Sequence, residues 1–264
     1  MTEIFFFVIG LFFGSFANVC IRRIPYNKSI VLPASHCPKC LIPIRWKDNI
    51  PIVSFLMLKG KCRNCKANIS LEYPIVELLT GLYFLLSYLS FGISFSLLIS
   101  IILGFYLIVI SFIDMHLKIV PDILSVSLIF IGIILSPINS AIKYSFLNSI
   151  TGICFAGFFL LTISYIGSKI YKKEVMGGGD IKLLAAGGGF LGISNIFHAF
   201  ITACFIGGFV GLVLILFKKK KSSDFIPFGP YISISIILIF FLSHFIHITL
   251  LNLINSSIDM FSAR

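Results

Sequence analysis

Apolar runs of about 20 residues, the length that crosses a lipid bilayer, occupy most of this sequence and limit what it can fold into. Charged residues make up only 12% of its 264 residues, and hydrophobic residues 58%. Soluble domains are about 25% charged, so we predict an α-helical polytopic membrane protein. The first run lacks a charged residue and a small-residue cleavage site, which indicates a retained helix rather than a signal peptide.

The apolar runs predict about eight transmembrane helices. The region 181–217 is too long for one crossing at about 1.5 Å per residue. We expect Gly187, Gly188, Gly189 and Gly192 to break it into a short first helix, thin or partly re-entrant, and a second crossing. The predicted spans are residues 4–21, 75–91, 95–113, 119–137, 146–166, 181 to about 192, from there to 217, and 231–250.

The basic residues decide the predicted orientation. With both termini outside, 19 of the 21 lysines and arginines lie on the cytoplasmic side, and only Lys143 and Arg264 lie outside. The net charge of +11 therefore indicates membrane topology and not a nucleic-acid partner. We expect three parts: a first helix (1–21), a cytoplasmic domain (22–74) and a helical bundle (75–264). Gly10 and Gly14 form a GxxxG pair that a second helix could approach closely.

Four cysteines in the cytoplasmic domain form two CxxC pairs, Cys37 with Cys40 and Cys62 with Cys65. Four thiolates with this spacing can enclose a tetrahedral structural zinc ion, a site with no open position for a substrate. A redox role and four unligated thiols are the alternatives. The remaining cysteines stand alone in apolar runs, where small buried side chains are expected.

Two aspartates mark the edges of apolar runs. Asp114 ends one run, and Asp180 opens another after Gly177, Gly178 and Gly179. A carboxylate at a membrane edge is costly unless it is paired, hydrated or used, and two together could share one proton and hydrolyse a peptide bond. The alternative is that each is a solvated residue at a helix end. Asp122 follows a proline and is expected to cap the next helix.

Several motifs, in the right order, resemble those of the type IV prepilin peptidases, the GxGD aspartic proteases of the bacterial inner membrane. The similarity extends over nearly the whole chain, and Val120, Ala17 and Glu72 stand where other residues are common in the family. The matching segments are Gly14-Ser15-Phe16-Ala17-Asn18-Val19 with Arg22-Arg23-Ile24-Pro25, the two cysteine pairs, Phe112-Ile113-Asp114, Val120-Pro121-Asp122, Gly177 to Leu184 and Pro227-Phe228-Gly229-Pro230.

This resemblance implies a two-aspartate endopeptidase that removes the basic leader of prepilins and pseudopilins at the cytoplasmic membrane face. It also implies methylation of the new amino terminus with S-adenosylmethionine. Carried over residue by residue, Asp114 and Asp180 would be the catalytic pair. Gly177, Gly178, Gly179, Lys182 and Asp122 would support them, and Asn18 and Glu77 would belong to the methyl-donor region.

Three rival functions predict different features. An ion-coupled transporter would carry polar groups deep in its spans and an internal repeat, and the sequence shows neither. A membrane methyltransferase with structural aspartates, or a zinc-organised scaffold, would tolerate their substitution. The sequence leaves open whether the protein forms a homo-oligomer.

Overall fold

A computed structural model describes residues 1–138, 146–172, 176–217 and 226–262. The chain divides into two compact units, Met1–His116 and Leu117–Arg264. The first unit contains α1 (Thr2–Arg23), α2 (Val53–Met57), α3 (Glu72–Phe91) and α4 (Phe95–Leu117), with short 3-10 turns at Ile24–Tyr26 and Trp46–Asn49. The second contains α5 (Asp122–Leu135), α6 (Phe146–Tyr171), α7 (Gly178–Leu216) and α8 (Gly229–Ser262).

The helices confirm the predicted polytopic architecture. Among the described residues, six helices are long and apolar enough to cross a membrane. The seventh apolar helix, α5, has 14 residues and is followed by a 3-10 turn, so it is shorter than the run 119–137 predicted. One of the six long helices, α7, bends at Gly192 and thereby supplies two of the eight predicted segments.

α7 is the central helix of the second unit, packing against α5, α6 and α8. Gly192 has φ 69° and ψ 179°, a conformation that suits glycine, and it interrupts the helix at the expected position. The expectation that Gly187, Gly188 and Gly189 also break the helix is wrong, because all three are buried within its regular part. Their lack of a side chain serves packing instead: a β-carbon on Gly188 would lie 2.5 Å from the carbonyl oxygen of Gly152 on α6.

The GxxxG pair of α1 packs against α3, as its spacing suggested. A β-carbon on Gly10 would lie 2.8 Å from the Cα of Gly81, and one on Gly14 would lie 2.5 Å from the Cα of Glu77. These distances are shorter than real β-carbons show, and the obstructing atoms belong to the backbone of α3. The two glycines therefore set how closely α1 and α3 approach.

We expect Gly14→Ala to destabilise the first unit by about 1–3 kcal/mol, the usual cost of overpacking, because neither backbone can yield easily. Thermal unfolding of the protein in detergent, followed by circular dichroism, measures the change. Gly157→Ala on α6 is the matched control, since a β-carbon there meets nothing within 4 Å. Equal melting temperatures for the two variants would contradict the close approach.

α3 and α4 are joined by buried hydroxyl groups. Tyr83 donates a hydrogen bond from its hydroxyl to the carbonyl oxygen of Ser100 at 3.0 Å, and the hydroxyls of Ser87 and Ser100 lie 2.9 Å apart. Each polar group thus has a partner within the protein, as a bilayer-spanning segment requires.

Several residues on which the predicted orientation depends lie outside the described part of the chain. They are Lys143, Lys173, Lys218 to Lys221 and Arg264. The last predicted span, 231–250, falls within α8, which begins at Gly229 and continues to Ser262.

Candidate functional site

The two CxxC pairs have the same backbone geometry. In the first, Leu41 donates its amide hydrogen to the carbonyl of Cys37 at 2.9 Å, and in the second Lys66 donates to Cys62 at 3.0 Å. Leu41 and Lys66 both have positive φ, 58° and 57°. An isolated β-bridge closes each loop, His36 with Pro43 and Lys61 with Asn68. The chain therefore builds one cysteine loop twice, 25 residues apart, a repeat that the spacing of the cysteines alone did not reveal.

The four sulfur atoms converge, as predicted. Those of Cys37, Cys40, Cys62 and Cys65 all lie within 4.8 Å of one another, and the sulfurs of Cys37 and Cys65 are 3.8 Å apart. Ligands about 2.3 Å from a tetrahedrally coordinated ion lie roughly 3.8 Å from each other. This separation and the four sulfur donors indicate a metal site.

Backbone amides favour the thiolate form of the first cysteine in each loop. The N–H groups of Cys40 and Lys39 lower the pKa of Cys37 to about 6, and those of Cys65 and Asn64 lower the pKa of Cys62. Thiolates are the form of cysteine that binds metal. Each loop is thus arranged to present a ligand at neutral pH.

Asp114 lies in the last turn of α4 and is only 4% exposed. A negative charge at the C-terminal end of a helix faces the negative end of the helix dipole. Burial removes solvent as well, so this position is unfavourable for a carboxylate without a role. The observation opposes the alternative that Asp114 is a solvated helix-end residue.

Asp180 lies in the first turn of α7 and is 8% exposed, so it is also buried rather than solvated. Its amide donates a hydrogen bond to the carbonyl of Gly177 at 3.1 Å, which closes the turn that begins the helix. The three glycines before it differ in their surroundings. A β-carbon on Gly179 would lie 2.8 Å from the β-carbon of Val120, whereas one on Gly178 would meet nothing within 4 Å. Close packing thus demands glycine at position 179.

Asp122 and Lys182 join the start of α5 to the first turn of α7. The ammonium nitrogen of Lys182 donates a hydrogen bond to the Asp122 carboxylate at 2.7 Å. The expectation that Asp122 caps α5 is wrong: Pro121 occupies the cap position, and Asp122 is the first helical residue and turns to Lys182. Within the second unit, the fold therefore brings Asp180, Gly179, Lys182 and Asp122 to one end of α5 and α7.

Asn18 and Glu77 are buried between α1 and α3. The Asn18 side chain donates hydrogen bonds to the carbonyls of Gly14 and Tyr73, at 3.2 and 3.1 Å. The Glu77 carboxylate accepts one from the amide of Ile52 at 2.7 Å. Asn18 thus joins the two helices, and Glu77 joins α3 to the cysteine-bearing segment.

Glu72 joins a cluster of polar side chains that sequence reasoning missed. Its carboxylate lies 3.5 Å from the Arg22 guanidinium and 2.8 Å from the His116 ring nitrogen. These three residues end α1, begin α3 and end α4, so the cluster ties three helix ends of the first unit together. The signal in the sequence was the position of each polar side chain at the end of an apolar run.

The comparisons with known proteins agree with this arrangement. Residues 8–91 match the bacterial peptidase A24 N-terminal domain, and residues 101–212 match the type IV leader peptidase family. The prepilin leader peptidase/N-methyltransferase of Neisseria gonorrhoeae is 35% identical over 258 residues, which cover 86% of each chain. This chain belongs to the type IV leader peptidase family. The predicted resemblance is confirmed.

Other members of the family are similar to the same extent. The type 4 prepilin-like proteins leader peptide-processing enzyme of Escherichia coli O78:H11 is 35% identical over 246 residues, covering 85% of this chain and 88% of that enzyme. A Myxococcus xanthus prepilin leader peptidase/N-methyltransferase is 36% identical over 217 residues, covering 82% of this chain and 64% of its own length. No solved structure matches the chain.

The two family matches divide the predicted site residues. The N-terminal domain match contains the four cysteines, Asn18 and Glu77, and the leader peptidase match contains Asp114, Asp122, Asp180 and Lys182.

Proposed function

We propose that this protein removes the leader peptide of type IV prepilins and pseudopilins and then methylates the new amino terminus. The proposal rests mainly on one observation: in a member of the leader peptidase family, two aspartates are buried at the ends of membrane helices. Asp114 and Asp180 form the catalytic pair. The names of the relatives support both activities, since they are called prepilin leader peptidase/N-methyltransferases.

In this mechanism the two aspartates share one proton. The ionised carboxylate takes a proton from the attacking water, and the protonated one donates a hydrogen bond to the scissile carbonyl. Gly179 supports Asp180 by letting α7 begin directly against Val120. The Lys182–Asp122 ion pair holds the start of α5 beside that of α7. An open groove adjoins this end of α7, lined by residues that include Ser164, Ser168, Gly178 and Ile181, and it offers room for an extended substrate.

Zinc is the metal that suits the four-cysteine cluster. Four thiolates in a tetrahedral arrangement favour zinc, and the site leaves no position for substrate. Its proposed role is to hold together a segment that has little core of its own. This supports a division into a first helix (1–21), a zinc domain (22–74) and a peptidase bundle (75–264).

The methyl donor is S-adenosylmethionine, which supplies an electrophilic methyl group for the free amine that cleavage produces. Asn18 and Glu77 would contribute to the region that binds it. Both are buried at the junction of α1, α3 and the cysteine segment, and both already have hydrogen-bond partners within the protein. Their part is therefore to shape the junction.

The enzyme lies in the bacterial cytoplasmic membrane with the cysteine domain and both aspartates on the cytoplasmic side. The ten basic residues from Arg22 to Lys66 support this orientation. Prepilin substrates and lipid are its partners, and a homo-oligomer is compatible with this arrangement.

The test is to incubate membranes containing the wild-type protein with a leader-bearing prepilin and S-adenosylmethionine. Mass spectrometry of the product then reads cleavage and methylation separately. We expect a shortened product whose amino terminus carries one added methyl group. An intact prepilin would refute the peptidase, and a shortened but unmethylated product would refute the second activity alone.

Gly179→Ala should lower the cleavage rate by about tenfold or more. The added methyl group would overpack the contact with Val120, which usually costs about 1–3 kcal/mol, and the start of α7 must shift away to relieve it. The rate of prepilin cleavage in membranes, normalised to the amount of enzyme, measures the effect. Gly208→Ala, farther along α7, is the control, because the added methyl group there meets nothing within 4 Å. Equal losses for the two variants would mean that the glycines act by another route.

A further inference from the structure

Between the cysteine pairs, the 3-10 turn Trp46–Asn49 and the neighbouring helix α2 carry four large apolar side chains that are exposed. They are Trp46, Val53, Leu56 and Met57, with exposures of 74%, 48%, 67% and 74%. We refer to them as the α2 surface. Trp46 begins the 3-10 turn that packs against α2, and the hydroxyl of Ser54 on α2 donates a hydrogen bond to the carbonyl of Lys47 in that turn at 3.1 Å. The surface is thus one unit of local structure.

A hydrogen bond places this surface beside the membrane helices. The amide of Ile52, the residue immediately before α2, donates to the carboxylate of Glu77 at 2.7 Å. Glu77 lies five residues after the first residue of α3, which is about 7 Å along the helix axis at 1.5 Å per residue. Gly14 of α1 packs against Glu77 at the same level, and α1 continues to Arg23. α2 therefore begins beside α1 and α3, and not beyond the last residue of α1 or the first residue of α3.

Two further features hold the surface in this position. Ile52 has φ 58° and ψ −49°, a conformation that is strained for a β-branched residue and persists only where surrounding contacts impose it. Arg63 of the second cysteine loop makes a two-pronged contact with the carboxylate of Asp48, with distances of 2.6 to 3.1 Å. The turn that carries Trp46 is therefore bound to the cysteine loop on one side and to α2 on the other.

The charge around the α2 surface suits an anionic partner. Residues 45–66 contain six basic residues and one acidic residue, Asp48, which is engaged by Arg63. The ammonium group of Lys47 lies 5.4 Å from the centre of the Trp46 ring. Tryptophan beside lysine, together with exposed apolar side chains, is the combination found where proteins meet the lipid headgroup region.

We propose that the α2 surface inserts into the headgroup region of the bilayer around α1 and α3, with anionic lipid as its ligand. The apolar side chains contact the outer part of the acyl chains, and the surrounding lysines and arginines contact phosphate groups. The cysteine segment is then held against the membrane by lipid as well as by Glu77. This goes beyond the proposed peptidase activity and does not depend on it.

Trp46 is the only tryptophan of the chain, so its fluorescence reports on this surface directly. The full-length protein is placed in nanodiscs of phosphatidylcholine and phosphatidylglycerol, with lipids brominated near the beginning of the acyl chain. We expect strong quenching of Trp46 by these lipids and weak quenching by acrylamide in the water. Lipids brominated near the end of the chain should quench less. Trp46 that is open to acrylamide and unaffected by brominated lipid would overturn the proposal.

Leu56→Asp tests the surface by adding a charge that the headgroup region disfavours. We expect it to remove most of the quenching by brominated lipid, while Leu32→Asp leaves the quenching unchanged. Leu32 is a matched control, a leucine with 71% exposure that precedes the first cysteine pair and lies outside the two elements that carry the α2 surface. Metal content and circular dichroism confirm that both variants fold. Equal quenching in both variants would refute insertion, and so would Trp46 that becomes protected only when prepilin is added, since the surface would then bind substrate.

Discussion

Asp114→Asn and Asp180→Asn should each lower the rate of prepilin cleavage by about 10²–10⁴-fold, the usual contribution of a group that transfers a proton in the transition state. Asparagine has nearly the same shape as aspartate but can neither accept the proton of the attacking water nor share one with its partner. Because the two carboxylates act as one unit, we expect the double variant to lose little more than either single variant.

Cleavage of a leader-bearing prepilin in membranes, with mass spectrometry of the product, measures both variants. Glu3→Gln is the control: it makes the same chemical change at an exposed carboxylate in the first turn of α1, and we expect full activity. Wild-type rates in either aspartate variant, at equal expression, would rule out the paired-acid mechanism. The two aspartates would then be structural, and cleavage would depend on other groups.

Cys37→Ser should abolish metal binding and unfold the segment between α1 and α3. Cys37 is the buried member of the cluster, and its pKa of about 6 makes it a ready thiolate. Structural zinc contributes about 10 kcal/mol or more in small zinc-finger peptides at neutral pH, far more than a segment of this size gains from its core. Elemental analysis of the purified protein measures the loss of metal and identifies the ion.

The helices of the first unit should survive this substitution. Gly10 and Gly14 pack α1 on α3 without the help of the metal, so most of the helical circular dichroism signal should remain while limited proteolysis cuts the cysteine segment. Cys154→Ser on α6 should leave both metal and proteolysis unchanged. The structure corrects the expectation that the solitary cysteines are buried, because Cys20 is buried but Cys154 and Cys204 are exposed. Equal metal content in Cys37→Ser and wild type would contradict the site, and an ion other than zinc would contradict its proposed identity.

Hydrophobic runs predicted the membrane helices well, because each run must satisfy its backbone hydrogen bonds internally and a helix does so locally. The close contact at the GxxxG pair of α1 and the bend at Gly192 could also be predicted from the sequence, since each depends on the absence of a side chain at a known position. The four cysteines predicted a shared site because CxxC spacing allows both sulfurs of a pair to face one ion. The family motifs contributed the proposed roles of Asp114 and Asp180.

The three-dimensional arrangement decided what depends on distant partners. Only the packing shows that Gly187 to Gly189 continue a helix and let neighbouring helices approach closely. Three consecutive glycines can either break a helix or permit a tight helix contact, and the sequence is the same in both cases. The Asp122 carboxylate accepts a hydrogen bond from Lys182, which is 60 residues away. The Glu77 carboxylate accepts one from the amide of Ile52, which is 25 residues before it. The sequence by itself determined which segments leave water and which side chains can ligate or transfer protons, because those properties belong to the residues. The tertiary structure alone decided which of these side chains meet, because a contact between distant residues has no local signal in the chain.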